Sequence, residues 1–174
     1  MAGWVALLRG INVGGRSTVP MAGLRRLFED AGFESVRTFI NSGNVLFEGA
    51  KPDRAALEKA VQETFGVAST VVLRTYAELR KVADSHPFGS DPSKTFVAFL
   101  ADRPERAAAA RLAELDAGDD AYELRGRELF LRLPKGLSQA KLTGPRVERA
   151  LGVPATVRNW NTVTKLVELS SRSS

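Results

Sequence analysis

Ser35-Val-Arg-Thr-Phe-Ile-Asn-Ser-Gly-Asn-Val-Leu-Phe47 decides the fold. Ser35–Ile40 and Val45–Phe47 are rich in β-branched and aromatic residues and read as two strands. Between them, Asn41-Ser-Gly-Asn44 carries the residues of a tight hairpin turn. Upstream, Trp4-Val-Ala-Leu-Leu-Arg9 is a strand that runs into the glycine-bearing loop Gly10-Ile-Asn-Val-Gly-Gly15. After Pro20, Met21, Leu24, Leu27, Phe28 and Ala31 recur at helical spacing, and Gly32 suits the stop. Downstream, Pro52 opens a second helix with Leu57, Ala60, Val61, Thr64 and Phe65 on one face and Gly66 at its end. Thr70–Arg74 is a fourth strand, and Tyr76–Ser85 continues as helix. The order is βαββαβ with a trailing helix.

The same order returns beyond His86-Pro-Phe-Gly-Ser-Asp-Pro-Ser93, a Pro/Gly/Ser-rich interval suited to a linker. Thr95–Leu100 is a strand, and Pro104 is expected to begin an Ala-rich helix through Leu112 and Leu115. Ala121–Arg125 and Glu128–Leu133 form a hairpin around Gly126-Arg127, a Gly-first pair suited to a type II′ turn. Thr143 or Gly144 precedes a helix carrying Val147, Ala150 and Leu151, with Gly152 at its end. Ala155–Arg158 is the last strand, and Asn159 or Asn161 caps a final helix with Val163, Leu166 and Val167 inward. The fold class is therefore α+β: tandem ferredoxin-like, or α/β-plait, halves with antiparallel sheets and helices on one face. The expected division is a first plait with its trailing helix over 1–85, a linker over 86–93, and a second plait with the C-terminal helix over 94–174. The duplication shows in the order of elements and not as a repeat of residues.

This topology carries a functional consequence. The third strand lies between the first two, so the 41–44 turn sits at the edge where the first strand ends. Two polar, glycine-bearing loops and the start of the first helix then share one rim.

Composition narrows the chemistry. The 174 residues contain no cysteine, which excludes a disulfide framework, thiolate catalysis and cysteine-based metal sites. The single histidine, His86, excludes His-rich metal sites, and its place beside Pro87 in the linker predicts a solvent-exposed ring. No apolar run approaches the roughly 20 residues that span a bilayer, and no basic segment precedes Trp4–Leu8 as in a signal peptide. The expected setting is the cytoplasm, without membrane contact. Lys and Arg total 25 against 20 acids, a net charge of +5 spread along the chain. Such a surplus fits an anionic partner, and it equally fits a solvated surface in an Arg- and Ala-rich protein.

Several motif matches fail on context. Gly10 to Ser17 has P-loop spacing with Arg16 for the Lys, but Pro20 stands too far along for the helix that such a loop opens. Ser138-Gln-Ala-Lys141, Lys141-Leu-Thr-Gly144 and Ser42-Gly-Asn44 have the residues of penicillin-recognising enzymes in the wrong order. Phe39, Phe47, Phe96, Phe99 and Phe130 lie in strands, as in the RNA-binding variant of this fold, but its signature is missing and core packing is expected of them.

Two clusters remain. Arg9, Gly10, Asn12, Gly14, Gly15, Ser42, Gly43 and Asn44 form one candidate ligand patch, in which glycines let amides approach an anion and Arg9 or Arg16 pairs with it. The alternative is that these glycines only permit positive φ in a connecting loop. Arg158, Asn159, Trp160, Asn161, Thr162 and Lys165 form the other, at a helix amino end where orphan amides favour an anion. Its alternative is a helix cap with a packed tryptophan. Lys141 joins the candidate residues as an electrostatic group.

Leu8-Arg-Gly-Ile-Asn-Val-Gly-Gly15, Thr38-Phe-Ile-Asn-Ser-Gly-Asn-Val45 and Thr156-Val-Arg-Asn-Trp-Asn-Thr-Val-Thr-Lys-Leu166 resemble, in order and over nearly the whole chain, the bacterial family filed as domain of unknown function 1697. The resemblance implies a tandem α/β-plait protein with no assigned biochemical role. The chain departs from it at Ala140, where the family tends to show Ser before Lys, so no serine chemistry is expected there. Taken together, the sequence points to a binding protein, free of cofactor and metal, for a phosphate-bearing small molecule, a nucleotide or a nucleic acid. The alternatives are a small metal-independent enzyme acting on a phosphorylated or acyl substrate through Lys141 or Lys165, and a protein–protein adaptor using sheet edges.

Overall fold

A computed structural model describes residues 2–13, 15, 17–40, 42–89 and 91–172. Contacts group the chain into two compact units, Met1–Lys81 with Leu166–Ser174, and Val82–Lys165.

In the first unit, strands β1 (Ala2–Leu8), β2 (Glu34–Phe39), β3 (Asn44–Gly49) and β4 (Val71–Thr75) form one sheet in the order β2-β3-β1-β4. Every neighbouring pair is antiparallel, as the split βαβ arrangement requires. Helices α1 (Met21–Asp30) and α2 (Arg54–Phe65) cover one face. Leu24, Leu27 and Phe28 of α1 and Leu57 and Val61 of α2 pack on Ala6, Leu8, Val45 and Phe47, the alternate residues of the two central strands. The Phe47 ring stands 5.0 Å from Phe28 and 4.6 Å from Phe33, so these aromatics join helix to sheet. Thr64, expected inward, is exposed. Helix α3 (Tyr76–Asp84) follows β4 without a loop.

The second unit repeats the plan. Strands β5 (Thr95–Leu100), β6 (Ala121–Arg125), β7 (Glu128–Arg132) and β8 (Ala155–Asn159) run in the order β6-β7-β5-β8, again all antiparallel. Helices α4 (Ala108–Ala113) and α5 (Gly144–Leu151) pack through Ala108, Leu112, Val147, Ala150 and Leu151 onto Ala98, Leu100, Leu129 and Leu131. Helix α6 (Trp160–Ser171) follows β8 directly. Four of the five strand phenylalanines are core residues and Phe39 is half-buried. Gly126 alone of its pair has positive φ, +58°, the pattern of a type II′ turn.

Two expectations are corrected. Pro104 does not begin a helix; 103–105 have no regular structure, 106–107 turn, and α4 starts at Ala108, behind an Ala107 that offers no capping side chain. Without a Ser, Thr, Asp or Asn at that point nothing fixes an earlier start. The duplication is also visible in residues. Strand-to-helix junctions align as Arg74-Thr-Tyr76 with Arg158-Asn-Trp160, followed by Leu79 with Val163 and Lys81 with Lys165. Each junction is capped by its middle residue: Thr75 Oγ1 accepts from Glu78 N at 3.1 Å, and Asn159 Oδ1 accepts from Thr162 N at 2.8 Å. Upstream, Glu58 Oε2 accepts from Val71 N at 2.9 Å, and Glu148 Oε1 from Ala155 N at 3.0 Å.

Candidate functional site

The rim at the end of β1 is assembled by backbone hydrogen bonds. Leu8 N donates to Gly43 O at 2.9 Å, and Arg9 N donates to Thr70 O at 2.9 Å. The 40–43 hairpin loop and the 9–19 loop are thus neighbours, as the strand order predicts. Gly43 is needed at their contact. Its φ is +87°, and a Cβ there would lie 2.6 Å from Ile11 Cδ1 and 3.0 Å from Leu8 Cβ. Asn44 is fully buried, and its Nδ2 donates to Phe39 O at 2.8 Å and Ser42 Oγ at 3.0 Å, which holds the turn closed. Asn12 performs the same service for the first loop. Its Nδ2 donates to Val19 O at 3.0 Å and its Oδ1 accepts from Val19 N at 2.7 Å. Both asparagines are therefore built into the loops, while Gly10 and Gly15 are exposed, with nothing within 4 Å of where a side chain would begin. Gly14 of the expected patch, and Arg16 and Asn41 of the two loops, lie outside the described residues.

Arg9 is anchored by its backbone, with Ser69 Oγ donating to its carbonyl at 2.7 Å. It lines a shallow cavity of about 280 Å³ with Glu58, Gln62, Ala68, Ser69 and Thr70. Glu58 is committed to Val71 N and to Arg54, which lies 3.7 Å away. A guanidinium, an amide and the Thr70 hydroxyl therefore line the cavity, groups that match a phosphate or carboxylate, while the Ser69 proton is spent on the Arg9 carbonyl. The sequence signal missed here was Gln62-x6-Ser69-Thr70, which becomes a wall only when α2 and β4 pack together.

Backbone strain collects on this rim. Among the described residues four non-glycines have left-handed φ: Asn12 at +55°, Ser17 at +52°, Ser35 at +52° and Ile40 at +52°. Three of these stand on the two rim loops. Ile40 is β-branched, the type least suited to this region, and it is half exposed. Val13 on the neighbouring loop is also an exposed aliphatic residue.

The second cluster is placed differently. Arg158 is buried, and its guanidinium donates to Thr156 Oγ1 at 2.5 Å and to Val157 O at 3.1 Å. Burial alone pulls its pKa down to about 10. Trp160 and Thr162 are buried, and Asn159 is the cap of α6. Asn161 is exposed and Lys165 half-buried. Lys141 Nζ pairs with Asp116 Oδ2 at 3.0 Å, and that hydrogen bond, with another from Gly118 N, holds the Asp116 carboxyl below its ordinary pKa. The Lys141 backbone is fixed too, its N–H donating to Asp120 Oδ2 at 2.7 Å. His86, expected to face solvent, is half-buried instead. Its Nε2 lies 3.1 Å from Phe96 O, and Trp160 and Phe130 stand edge-on to it at 4.8 and 5.0 Å. Among the described residues no group of three acidic or histidine side chains is placed to hold a metal ion, and no helix is long and apolar enough to cross a membrane.

Comparison with known proteins yields fold and family but no activity. No curated protein matches the sequence. The conserved bacterial protein SP0830 of Streptococcus pneumoniae has 22% identity, covers 97% of this chain and 98% of its own, and superposes with a TM-score of 0.76. That likeness shows a shared fold. An unknown protein from Galdieria sulphuraria has 16% identity over 91% of this chain and 97% of its own, with a TM-score of 0.25, too low to bear on the fold. A family model described as protein of unknown function (DUF1697) matches residues 1–130, a span that holds the first sheet, both rim loops and the strands through Phe130. The doubled sheet, the glycine-loop rim and that match converge, and the chain belongs to the DUF1697 family.

Proposed function

We propose that the protein binds a small phosphate-bearing molecule at the rim of its first unit. One observation supports this above the others: the same rim framework occurs twice, and only the first copy is elaborated. Leu100 N donates to Arg127 O at 2.8 Å and Ala101 N to Pro154 O at 2.9 Å, which reproduces the Leu8–Gly43 and Arg9–Thr70 bonds. In the second unit the hairpin is the two-residue Gly126-Arg127 turn, and the strand-to-helix loop 101–107 contains no glycine. In the first unit both loops are longer, and they carry three of the four left-handed non-glycines among the described residues. A left-handed residue other than glycine costs about 1–2 kcal/mol, and such strain concentrates where a backbone is shaped for a ligand.

In this reading Arg9 pairs with the phosphate, Gln62 and Thr70 hold the remainder of the molecule, Ser69 fixes the Arg9 backbone, and the Gly10 and Gly15 backbones leave room for the ligand's approach. Ser42 and Gly43 fix the second loop. The net charge of +5 draws the anion in. Thermal unfolding against a panel of sugar phosphates and nucleotides tests this. A ligand at about 100 times its Kd adds roughly 2.7 kcal/mol, a readily measured rise in Tm. That rise is expected in the native chain and absent in Arg9→Ala. A panel without effect, or an equal rise in Arg9→Ala, contradicts the proposal. Binding only to nucleic acid, with a steep loss at higher salt, would replace it with the macromolecular reading.

A further inference from the structure

His86 is engaged on every side within the second unit. Phe88 N donates to its Nδ1 at 3.1 Å, so Nδ1 is an acceptor and carries no proton. Nε2 lies 3.1 Å from the carbonyl oxygen of Phe96, which only accepts, so Nε2 carries the proton. The ring is therefore the neutral Nε2–H tautomer with both nitrogens satisfied by main chain. Around it Phe130, Trp160 and Phe88 stand at steep angles with centroids at 5.0, 4.8 and 5.9 Å. Phe130 of β7 is flanked in sequence by Leu129 and Leu131, which pack toward α4 and α5, so His86 lies on the opposite face of the sheet.

We infer that His86 is an acid-sensitive latch, which fastens the chain leaving α3 onto the second sheet when neutral and releases it when protonated. A second proton must go to Nδ1. There it meets the Phe88 N–H, so an acceptor becomes a donor facing a donor, and the charge sits among aromatic rings. The charged side chains on this sheet face are Glu123 and Arg125 of β6, Glu128 and Arg132 of β7, and Arg158 of β8, by the alternation and pairing of the strands. Lys165 is the ionisable residue of α6 within this unit, and Asp84 and Asp91 flank the latch in sequence. Arg125 bears most directly on it: its guanidinium lies 5.4 Å from the Phe130 ring centre, donates to Ser85 O at 2.7 Å and pairs with Glu123. Burial first, opposed by the Phe96 carbonyl, and then the Arg125 charge set His86 below its ordinary value of 6.5.

The sign follows. The released chain takes up its proton near pH 6.5 and the docked chain only below that, so docking is fully favoured above 6.5 and weakens as pH falls toward the docked value. Each unit between the two values is tenfold in the opening equilibrium.

Because the chain has one histidine, NMR of the intact protein reports on this ring alone. We expect the Nε2–H tautomer at pH 7.5, a titration midpoint below 6.5, and a Phe88 amide whose shift and loss of exchange protection follow that midpoint. A His86→Asn chain that folds should lose this pH dependence at Phe88. An Nδ1–H tautomer, a midpoint at or above 6.5, or a Phe88 amide indifferent to the titration would overturn the latch.

Discussion

The rims at the ends of β1 and β5 rest on the same pair of backbone hydrogen bonds and then diverge. The junctions at the ends of β4 and β8 do the reverse: behind a shared arginine the capping and aromatic residues differ in type, and the structural work is the same. Arg74 and Arg158 are both buried, and each donates to the carbonyl of the residue before it, at 2.9 and 3.1 Å. Each is opposite a β-strand valine, Val5 or Val97, in the register of its sheet. A feature present in both copies of a duplicated fold is explained by the fold. A feature confined to one copy needs another cause. By this criterion Arg158-Asn-Trp160 is a strand-to-helix junction, and the 9–19 and 40–43 loops are the place to test for the proposed role.

The comparison can be broken or sharpened by substitution. The largest effect is expected at Trp160→Ala, which empties a buried aromatic position and should cost about 3–5 kcal/mol of unfolding free energy. Ligand affinity at the first rim should stay unchanged in that variant; a folded Trp160→Ala that loses binding alone would return the junction to the list of sites. Next is Asn44→Ala, which strands Phe39 O and Ser42 Oγ. A loss of about 1–3 kcal/mol in chemical denaturation is expected, together with weaker ligand binding as the 40–43 turn loosens.

Thr75→Ala and Asn159→Ala remove equivalent caps and should each cost roughly 0.5–2 kcal/mol, in similar amounts. Markedly unequal costs would mean that the two junctions are alike in sequence alignment only. The smallest effect belongs to Asn161→Ala. Asn161 is exposed, and its stability change should fall within about 0.5 kcal/mol, with binding intact.

How much of this was legible beforehand depends on the range over which each feature is determined. Local chemistry could be read directly: Gly126 before Arg127 specified its turn, and the helix patterns of Leu24, Phe28, Leu57 and Val61 specified their inner faces. The place of the 40–43 loop beside the 9–19 loop followed from strand order alone. What depended on distant partners was hidden. His86 is enclosed by Phe130 and Trp160, far along the chain, so its position beside Pro87 suggested exposure. The residue repeat is hidden in the sequence because a Thr cap and an Asn cap are unlike in type and alike only in accepting an amide. Asn12 and Asn44 looked like ligand groups for the same reason, since the acceptors that occupy them, Val19 O and Phe39 O, are main-chain atoms without a sequence signature.

The central claim is that the first rim binds a phosphate-bearing molecule and the second does not. It is tested most directly by following backbone amide shifts while the most stabilising compound of the thermal panel is titrated into the intact protein. Shifts are expected at Arg9, Gly10, Gly15, Ser42, Gly43, Ser69 and Thr70, with a common saturation curve and with Ala101, Arg127 and Glu128 unmoved. Shifts centred on 158–165, or equal shifts at both rims, would contradict the account.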